Sequence, residues 1–371
     1  MDGTPALTVA PTDAFRAILK RLAVGETLNE ADAEQAFGLI MDGGIPDMLI
    51  AAFLMALRVR GEQRAELLGA VRAVRSRMRR VAPVPAGTID VCGTGGDGLG
   101  TLNISTAVAF VLAALGVPVA KHGNKALSSR SGATDVLGAL GVAVSDDPAV
   151  IAARLNEGGL AFMAAPAHHP ARRGAAPARS ALGMRTLFNL IGPLCNPAGV
   201  TRQLVGVFDR AWLRPVVETL QLLGSECAWA VHGTCGVGQG VDELTLAGPT
   251  AIVALQNGVL YDFVLEPGDA GLPHAPISAI AGGGPAENAA ALEELLAGAR
   301  GAYRDTVLLN TAAALHVAGR GDILKEGEVQ PASLRALVAE AARVLDDGSA
   351  LAVLKSARAG MPSVRDEFIQ G

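Results

Sequence analysis

The chain has 371 residues, is 50% hydrophobic, 18% charged and 4% aromatic, and carries a formal net charge of −5. That much apolar material fills a large core, divides naturally into one large domain or two, and excludes a disordered chain. The scarcity of aromatics argues against stacking platforms for single-stranded nucleic acid. The mild acidity gives no global attraction to nucleic acid or to anionic membranes. The four cysteines, Cys92, Cys195, Cys227 and Cys235, form no C-x-x-C pair, which reads as reduced thiols in a cytoplasmic protein rather than a zinc site. The opening residues lack the basic start and apolar run of a signal peptide. The apolar stretch Ala107 to Ala120 is too short to span a bilayer and is interrupted by Gly116 and Pro118. A soluble protein with no membrane partner is expected.

From about Thr12 to Val81, apolar residues recur at helical spacing, and Gly25, Gly43, Gly44 and Gly61 punctuate the run as C-terminal caps. The last of these helices is expected to end in the basic cluster Arg72, Arg75, Arg77, Arg79 and Arg80. A solvated helix C-terminus explains the cluster better than a nucleic-acid patch, because no aromatics are interleaved with it. The Pro-rich junction Ala82 to Gly87 marks a domain boundary. Beyond it, short β-branched runs alternate with helical stretches: TIDVC, STAVAFVLAALG, VPVAKH, ATDVLGALG, a helix capped near Ser145 to Asp147, then LAFMAA. Later strands are expected at RQLVGVF, CAWAVHG and AIVAL. Later helices are expected at Trp212 to Leu223, Ala286 to Ala299, Tyr303 to Ala318 and Pro331 to Leu345. This alternation predicts an α/β fold: a small N-terminal helical domain and a larger α/β domain with a mostly parallel central sheet flanked by helices. The expected division is a helical domain over 1–82, joined by helices from about 168–192, and an α/β domain over 83–371.

The strongest local feature is GTGGDGLGTLNIST, Gly93 to Thr106, with five glycines between Gly93 and Gly100. It follows a predicted strand and opens a predicted helix. Glycines let backbone amides approach phosphate oxygens, and Asn103, Ser105 and Thr106 stand where the amides and dipole of a helix start favour anions. It is neither a Walker A loop nor a Rossmann fingerprint. Read alone it is a phosphate cradle or a glycine-rich turn, and the polar helix start favours the cradle. A second loop, KHGNKALSSRSG from Lys121 to Gly132, follows a neighbouring strand and offers lysines, an asparagine and serines for another phosphate.

Together these loops resemble the anthranilate phosphoribosyltransferase family, whose hallmarks are GTGGDG running into NIST, and KHGN followed by a serine pair. Here they read Gly93 to Gly98, Asn103 to Thr106, Lys121 to Asn124, and Ser128 with Ser129. His168 to Gly199 and the VDE of Val241 to Glu243 also agree, so the resemblance covers nearly the whole chain. It implies that Gly93, Gly96, Asp97, Thr101, Asn103, Ile104, Ser105, Thr106, Lys121, His122, Gly123, Asn124, Ser128 and Ser129 bind 5-phosphoribosyl 1-diphosphate. Ser105, Asp242 and Glu243 would hold Mg2+, and Gly93, Asn124 and Arg179 would contact anthranilate. The residue types suit those tasks: magnesium prefers hard oxygens, and an arginine fork pairs with a carboxylate. Without the resemblance, Asp242 and Glu243 read as surface acids and Arg179 as a solvated helix residue.

The implied reaction is displacement of pyrophosphate at the ribose C1 by the anthranilate amine, with inversion and an oxocarbenium-like transition state. Positioning and electrostatics would do most of the catalysis. His122, His168 and His169 invite an acid–base reading, but this chemistry needs little proton transfer. His122 is therefore taken as loop-shaping and no catalytic base is assigned. The resemblance also implies a homodimer formed through the helical domain.

Four departures from the family pattern stand out: Ala133 for a serine, Lys125 for an arginine, Leu102 for a phenylalanine, and a lengthened His232–Glu243 segment before the acidic pair. The pyrimidine nucleoside phosphorylases share the implied fold, but their K-x-S-T-G-G loop is absent here.

Overall fold

The computed structural model describes residues 10–123, 131–236 and 240–360. It divides into two compact units. One comprises the residues up to Met78 together with His169–Ile191, and the other comprises Arg79–His168 and the chain from Gly192 onward.

The chain begins with α1 (Pro11–Ala23), α2 (Glu30–Asp42), α3 (Asp47–Arg60) and α4 (Arg64–Arg75). It continues through β1 (Ile89–Gly93), α5 (Ile104–Ala114), β2 (Val119–Gly123), α6 (Ala133–Ala139), α7 (Pro148–Gly158), β3 (Leu160–Ala164) and α8 (Ala165–His168). Then come α9 (Ala176–Leu182), α10 (Phe188–Ile191), β4 (Arg202–Gly206), α11 (Leu213–Leu222), β5 (Cys227–Thr234) and β6 (Gly240–Val241). The last elements are β7 (Thr250–Gln256), β8 (Val259–Leu265), α12 (Pro285–Leu296), α13 (Ala302–Val317), β9 (Leu324–Lys325), β10 (Glu328–Val329), α14 (Pro331–Asp346) and α15 (Ser349–Ala359).

In the helical unit, Asn29 caps α2 by accepting the Asp32 N–H at 2.8 Å, and Gly43 and Gly61 end α2 and α3 as expected from the sequence. Phe15, Phe37 and Phe53 meet at ring-centroid distances of 5.2 and 5.5 Å, the spacing at which aromatic pairs add to plain burial. Fully buried Glu66 is surrounded by donors: the amides of Leu28 and Gln63, both at 2.9 Å, and the Arg60 guanidinium. The basic run differs from expectation because α4 ends at Arg75. Only Arg72 and Arg75 lie in its last turn. Arg72 also reaches Glu30 at 3.0 Å, and Arg77 forks onto Asp42 at 2.6 and 2.7 Å. Charges neutralised in this way weaken the nucleic-acid reading.

In the α/β unit, the described residues form an eight-stranded sheet of order β3-β2-β1-β4-β5-β7-β8, with β6 also paired to β5. Strands β3, β2, β1, β4 and β5 run parallel, and β6, β7 and β8 are antiparallel. Helices α5 and α13 pack together in the core and are buried on almost every side, so they read as near-continuous apolar runs. Several elements go beyond the sequence expectation, among them β8 and α15. The Asn257–Gly258 pair between β7 and β8 has φ of 52° and 77°, the signature of a two-residue hairpin, and would have located β8.

Candidate active site

Strand order reverses at β1: β2 lies on one side of it and β4, later in the chain, on the other. In parallel α/β sheets such a switch point opens a crevice beyond the carboxyl ends of the strands, and ligands bind there. Here the carboxyl ends of β1 and β4 are both glycine, and Gly93 and Gly206 are direct partners in the ladder. The reason lies in Asp242. A β-carbon on Gly93 would stand 2.2 Å from Asp242 Oδ2, and one on Gly206 would stand 1.5 Å from the Asp242 carbonyl oxygen. Only a pair of glycines admits Asp242 to the crevice. The sequence marks Gly93 as a loop glycine but not for this reason, and it gives no sign of Gly206.

The glycine-rich loop leaves β1 and returns as α5. Thr94 ties it to β4: its N–H donates to the Gly206 carbonyl at 2.9 Å and its hydroxyl accepts the Phe208 N–H at 3.1 Å. Farther along, Gly282 donates to Gly100 at 2.7 Å, Leu102 donates to Ile280 at 2.9 Å, and Thr101 bridges Ala281. Asp97 folds onto its own loop by accepting the Leu99 N–H at 3.1 Å. Asn103 is the N-cap of α5, yet its side chain does not cap the helix. Instead its Oδ1 accepts from Asn288 at 2.8 Å.

The acidic pair meets the glycine-rich loop and the start of α5. Asp242 Oδ2 accepts the Gly95 N–H at 2.7 Å, and the Glu243 carboxylate lies near the Ser105 amide in the first turn of α5. Asp242 is buried and Glu243 half-buried. Burial, followed by repulsion from Asp97, raises Asp242 well above the usual carboxylate range, against the Gly95 hydrogen bond. Burial, followed by repulsion from Asp242, raises Glu243, with Lys121 and the Ser105 amide opposing. The site crowds carboxyls together, with Lys121 as a nearby cation.

The lengthened segment before the pair has both of its ends in the sheet, and residues 237–239 within it lie outside the described residues. Strand β6 folds back on β5, pairing Gly233 with Val241 and Thr234 with Gly240. The chain leaves the sheet directly before Asp242.

Lys121, His122 and Gly123 belong to β2 rather than to the loop after it. Lys121 is buried, with Nζ donating to the Val91 carbonyl at 2.8 Å and to Ser105 Oγ at 3.1 Å. His122 is held by its N–H on Asp90 at 3.1 Å and by Nδ1 on the Gly192 carbonyl at 3.2 Å, so it shapes a strand end rather than a loop. His168 likewise places Nδ1 on the Arg79 carbonyl at 3.1 Å, a structural tie. The side chains of Ile104 and Thr106 are buried. Gly96, Asp97 and Thr101 lie along the loop, partly exposed. Asn124, Lys125, Ser128 and Ser129 lie outside the described residues. Arg179 lies on α9 in the helical unit, with its guanidinium 5.1 Å from the centre of the Phe188 ring.

The helical bundle domain model of the glycosyl transferase family matches residues 16–78, and the a/b domain model of the same family matches 86–351. The anthranilate phosphoribosyltransferase of Gluconobacter oxydans (strain 621H) is 59% identical over 350 residues, covering 94% of this chain and 96% of its own. That of Rhodopseudomonas palustris (strain BisB18) is 50% identical over 341 residues, covering 92% and 96%. Among solved structures, anthranilate phosphoribosyltransferase from Thermus thermophilus superimposes with a TM-score of 0.82 at 39% identity, over 92% of this chain and 98% of that one. The Saccharomyces cerevisiae enzyme in complex with PRPP and Mg gives 0.82 at 27% identity, over 94% and 98%. Site, fold and relatives converge: the chain belongs to the anthranilate phosphoribosyltransferase family of glycosyl transferases.

Proposed function

We infer that this chain transfers the phosphoribosyl group of 5-phosphoribosyl 1-diphosphate to the amine of anthranilate. The products are N-(5-phosphoribosyl)anthranilate and pyrophosphate, and the step belongs to tryptophan biosynthesis. The observation that carries this reading is the 59% identity, over 94% of the chain, to a relative of that name. A folded sample is expected to consume anthranilate fluorescence only when magnesium and 5-phosphoribosyl 1-diphosphate are both present. Absence of turnover together with tight, salt-sensitive DNA binding would overturn it.

On this reading the diphosphate lies on the loop of Gly93, Gly96, Asp97 and Thr101 and on the start of α5 at Asn103, Ile104, Ser105 and Thr106, with amides as the donors. Lys121, beside Ser105, adds a cation next to the developing charge. His122, Gly123, Asn124, Ser128 and Ser129 are assigned to the same substrate by the family pattern, and Gly93, Asn124 and Arg179 to anthranilate. Arg179 supplies a fork suited to a carboxylate. The amine attacks C1 as the C1–oxygen bond to diphosphate breaks, and the amine proton leaves late. No side chain is assigned as the base.

Magnesium fits the donor set at Ser105, Asp242 and Glu243. Among the described residues, no three His, Cys, Asp or Glu side chains group closely enough to hold a metal ion alone. That suits an ion that takes one or two carboxylates and completes its shell with substrate phosphate and water. The like-charged crowding at Asp242 and Glu243 is what such an ion relieves. When bound, it supplies charge neutralisation to the departing diphosphate.

A homodimer through the helical unit is supported by α3. Met48, Ala52, Met55 and Val59 fall on one helical stripe, with Met48 83% and Val59 80% exposed. Sedimentation of the wild type as a dimer and of a Met48→Glu, Val59→Glu variant as a folded monomer is expected; a monomeric wild type would refute the assignment. Among the described residues, no helix is long and apolar enough to cross a membrane; a cytoplasmic location goes with the assigned step of amino-acid biosynthesis.

A further inference from the structure

One helix touches both halves of the site without contributing a ligand to either. Tyr303 and Asn310 lie on α13 about two turns apart, hence on the same face. The Tyr303 hydroxyl donates to the carbonyl of Asn103, the residue that starts α5, at 3.1 Å. Asn310 is buried and grips Leu244, the residue after Glu243, at both backbone groups. Its Oδ1 accepts the Leu244 N–H at 3.0 Å, and its Nδ2 donates to the Leu244 carbonyl at 2.8 Å. The same Nδ2 donates to the Thr306 carbonyl at 2.9 Å, which locks the amide's orientation.

This two-point grip imitates a ladder rung where the chain between β6 and β7 is irregular. Glycines set how close Asp242 comes to β1 and β4; Asn310 sets where the following residue must lie. Helix α13 itself is buried and packs along α5, so it is a stiff mount.

We propose that α13 is the strut that sets the spacing between the diphosphate loop and the acidic pair, with Tyr303 and Asn310 as positioning residues at its two contact points. This rests on Asp242 and Glu243 being the magnesium carboxylates and on the start of α5 binding the diphosphate. Each contact governs one half. Loss of the Asn310 grip lets the acidic pair drift and weakens the metal side. Loss of the Tyr303 hydroxyl leaves the Asn103 carbonyl to the Ala107 N–H of its own helix and weakens the diphosphate side.

The test is a split. Asn310→Ala is expected to raise the magnesium concentration for half-maximal activity about tenfold, in line with residues that orient metal ligands. Its KM for anthranilate should stay unchanged. Tyr303→Phe is expected to raise KM for 5-phosphoribosyl 1-diphosphate at saturating magnesium while leaving the magnesium requirement alone. Calorimetric titration of magnesium with 5-phosphoribosyl 1-diphosphate, without anthranilate, should show the same division independently of turnover. If Asn310→Ala does not fold, Asn310→Ser replaces it, because a helix serine turns its hydroxyl back onto the i−4 carbonyl and leaves no unpaired amide of its own.

Lower thermal stability in both variants with unchanged magnesium and substrate dependences would overturn the strut. So would parallel shifts of both dependences in both variants. An Asp242→Asn, Glu243→Gln variant separates the two levels. If its magnesium requirement is normal, the carboxylate assignment itself fails. If it loses the magnesium response while Asn310→Ala behaves as wild type, only the strut fails.

Discussion

Both units bury carboxylates, and they treat them in opposite ways. Glu66 in the helical unit is fully buried beneath two amides and an arginine. Asp242 and Glu243 in the α/β unit are crowded by each other and by Asp97, with the Gly95 amide donating to Asp242. A buried charge surrounded by donors is part of a scaffold. A buried charge surrounded by its own sign costs stability, and the arrangement persists because a ligand completes it. The contrast sets a structural acid apart from the pair proposed to hold the metal, without reference to any relative.

The largest expected effect tests the scaffold side. Glu66→Ala leaves Arg60 without its partner and two amides without an acceptor, which should cost about 3–5 kcal/mol of unfolding free energy. Chemical denaturation measures it, and turnover of the remaining folded fraction should be near normal. Replacing Asp242 with Asn and Glu243 with Gln should do the reverse: turnover falls on the order of 10²–10³-fold, while the ligand-free melting temperature holds or rises. A clear drop in melting temperature would remove the distinction between the two kinds of acid.

Gly206→Ala sharpens the comparison from a residue that touches no proposed ligand. The added carbon must push the Asp242 backbone out of the crevice, and a displacement of about 1 Å at reacting groups costs roughly 10²-fold in rate. Steady-state kinetics at saturating substrates would show it, and near-normal kcat would mean that the wedge is slack. The smallest expected effect is a pH response remote from the site. Burial lowers the pKa of His316, against a hydrogen bond to the Gly321 carbonyl and the nearby charge of Asp322. The folded state therefore prefers neutral imidazole. Stability should be full above the unfolded-state pKa of about 6.5 and should decline as pH falls below it, by at most about 1.4 kcal/mol per pH unit. His316→Gln should flatten that part of the stability–pH curve.

How much of this is legible in the sequence follows from how far each feature reaches along the chain. The glycine-rich loop is contiguous, so its turn chemistry and the helix start after it can be read directly. The parallel strands and the helices of the α/β unit announce themselves by period, as does the helical unit. The hold on the acidic pair does not: Gly95 and Asp242 are separated by 147 positions, and Asn310 and Leu244 by 66. Asn288, Tyr303 and Gly206 are unremarkable in their own segments and acquire meaning only where the chain returns to them. Lys121 falls both in the run VPVAKH and at the start of the loop read after it, because a buried lysine at a strand end has the same sequence as an exposed one opening a loop; the structure puts it in the strand.

The meeting of Gly93, Gly206 and Asp242 also bears on how such a sequence is able to change. No side chain fits at either glycine while the aspartate stays where it is. Substitutions at these three positions are therefore coupled: a change at one is tolerated only in a background where another has already moved. Combinatorial libraries built across the crevice should recover variants at these positions together or not at all.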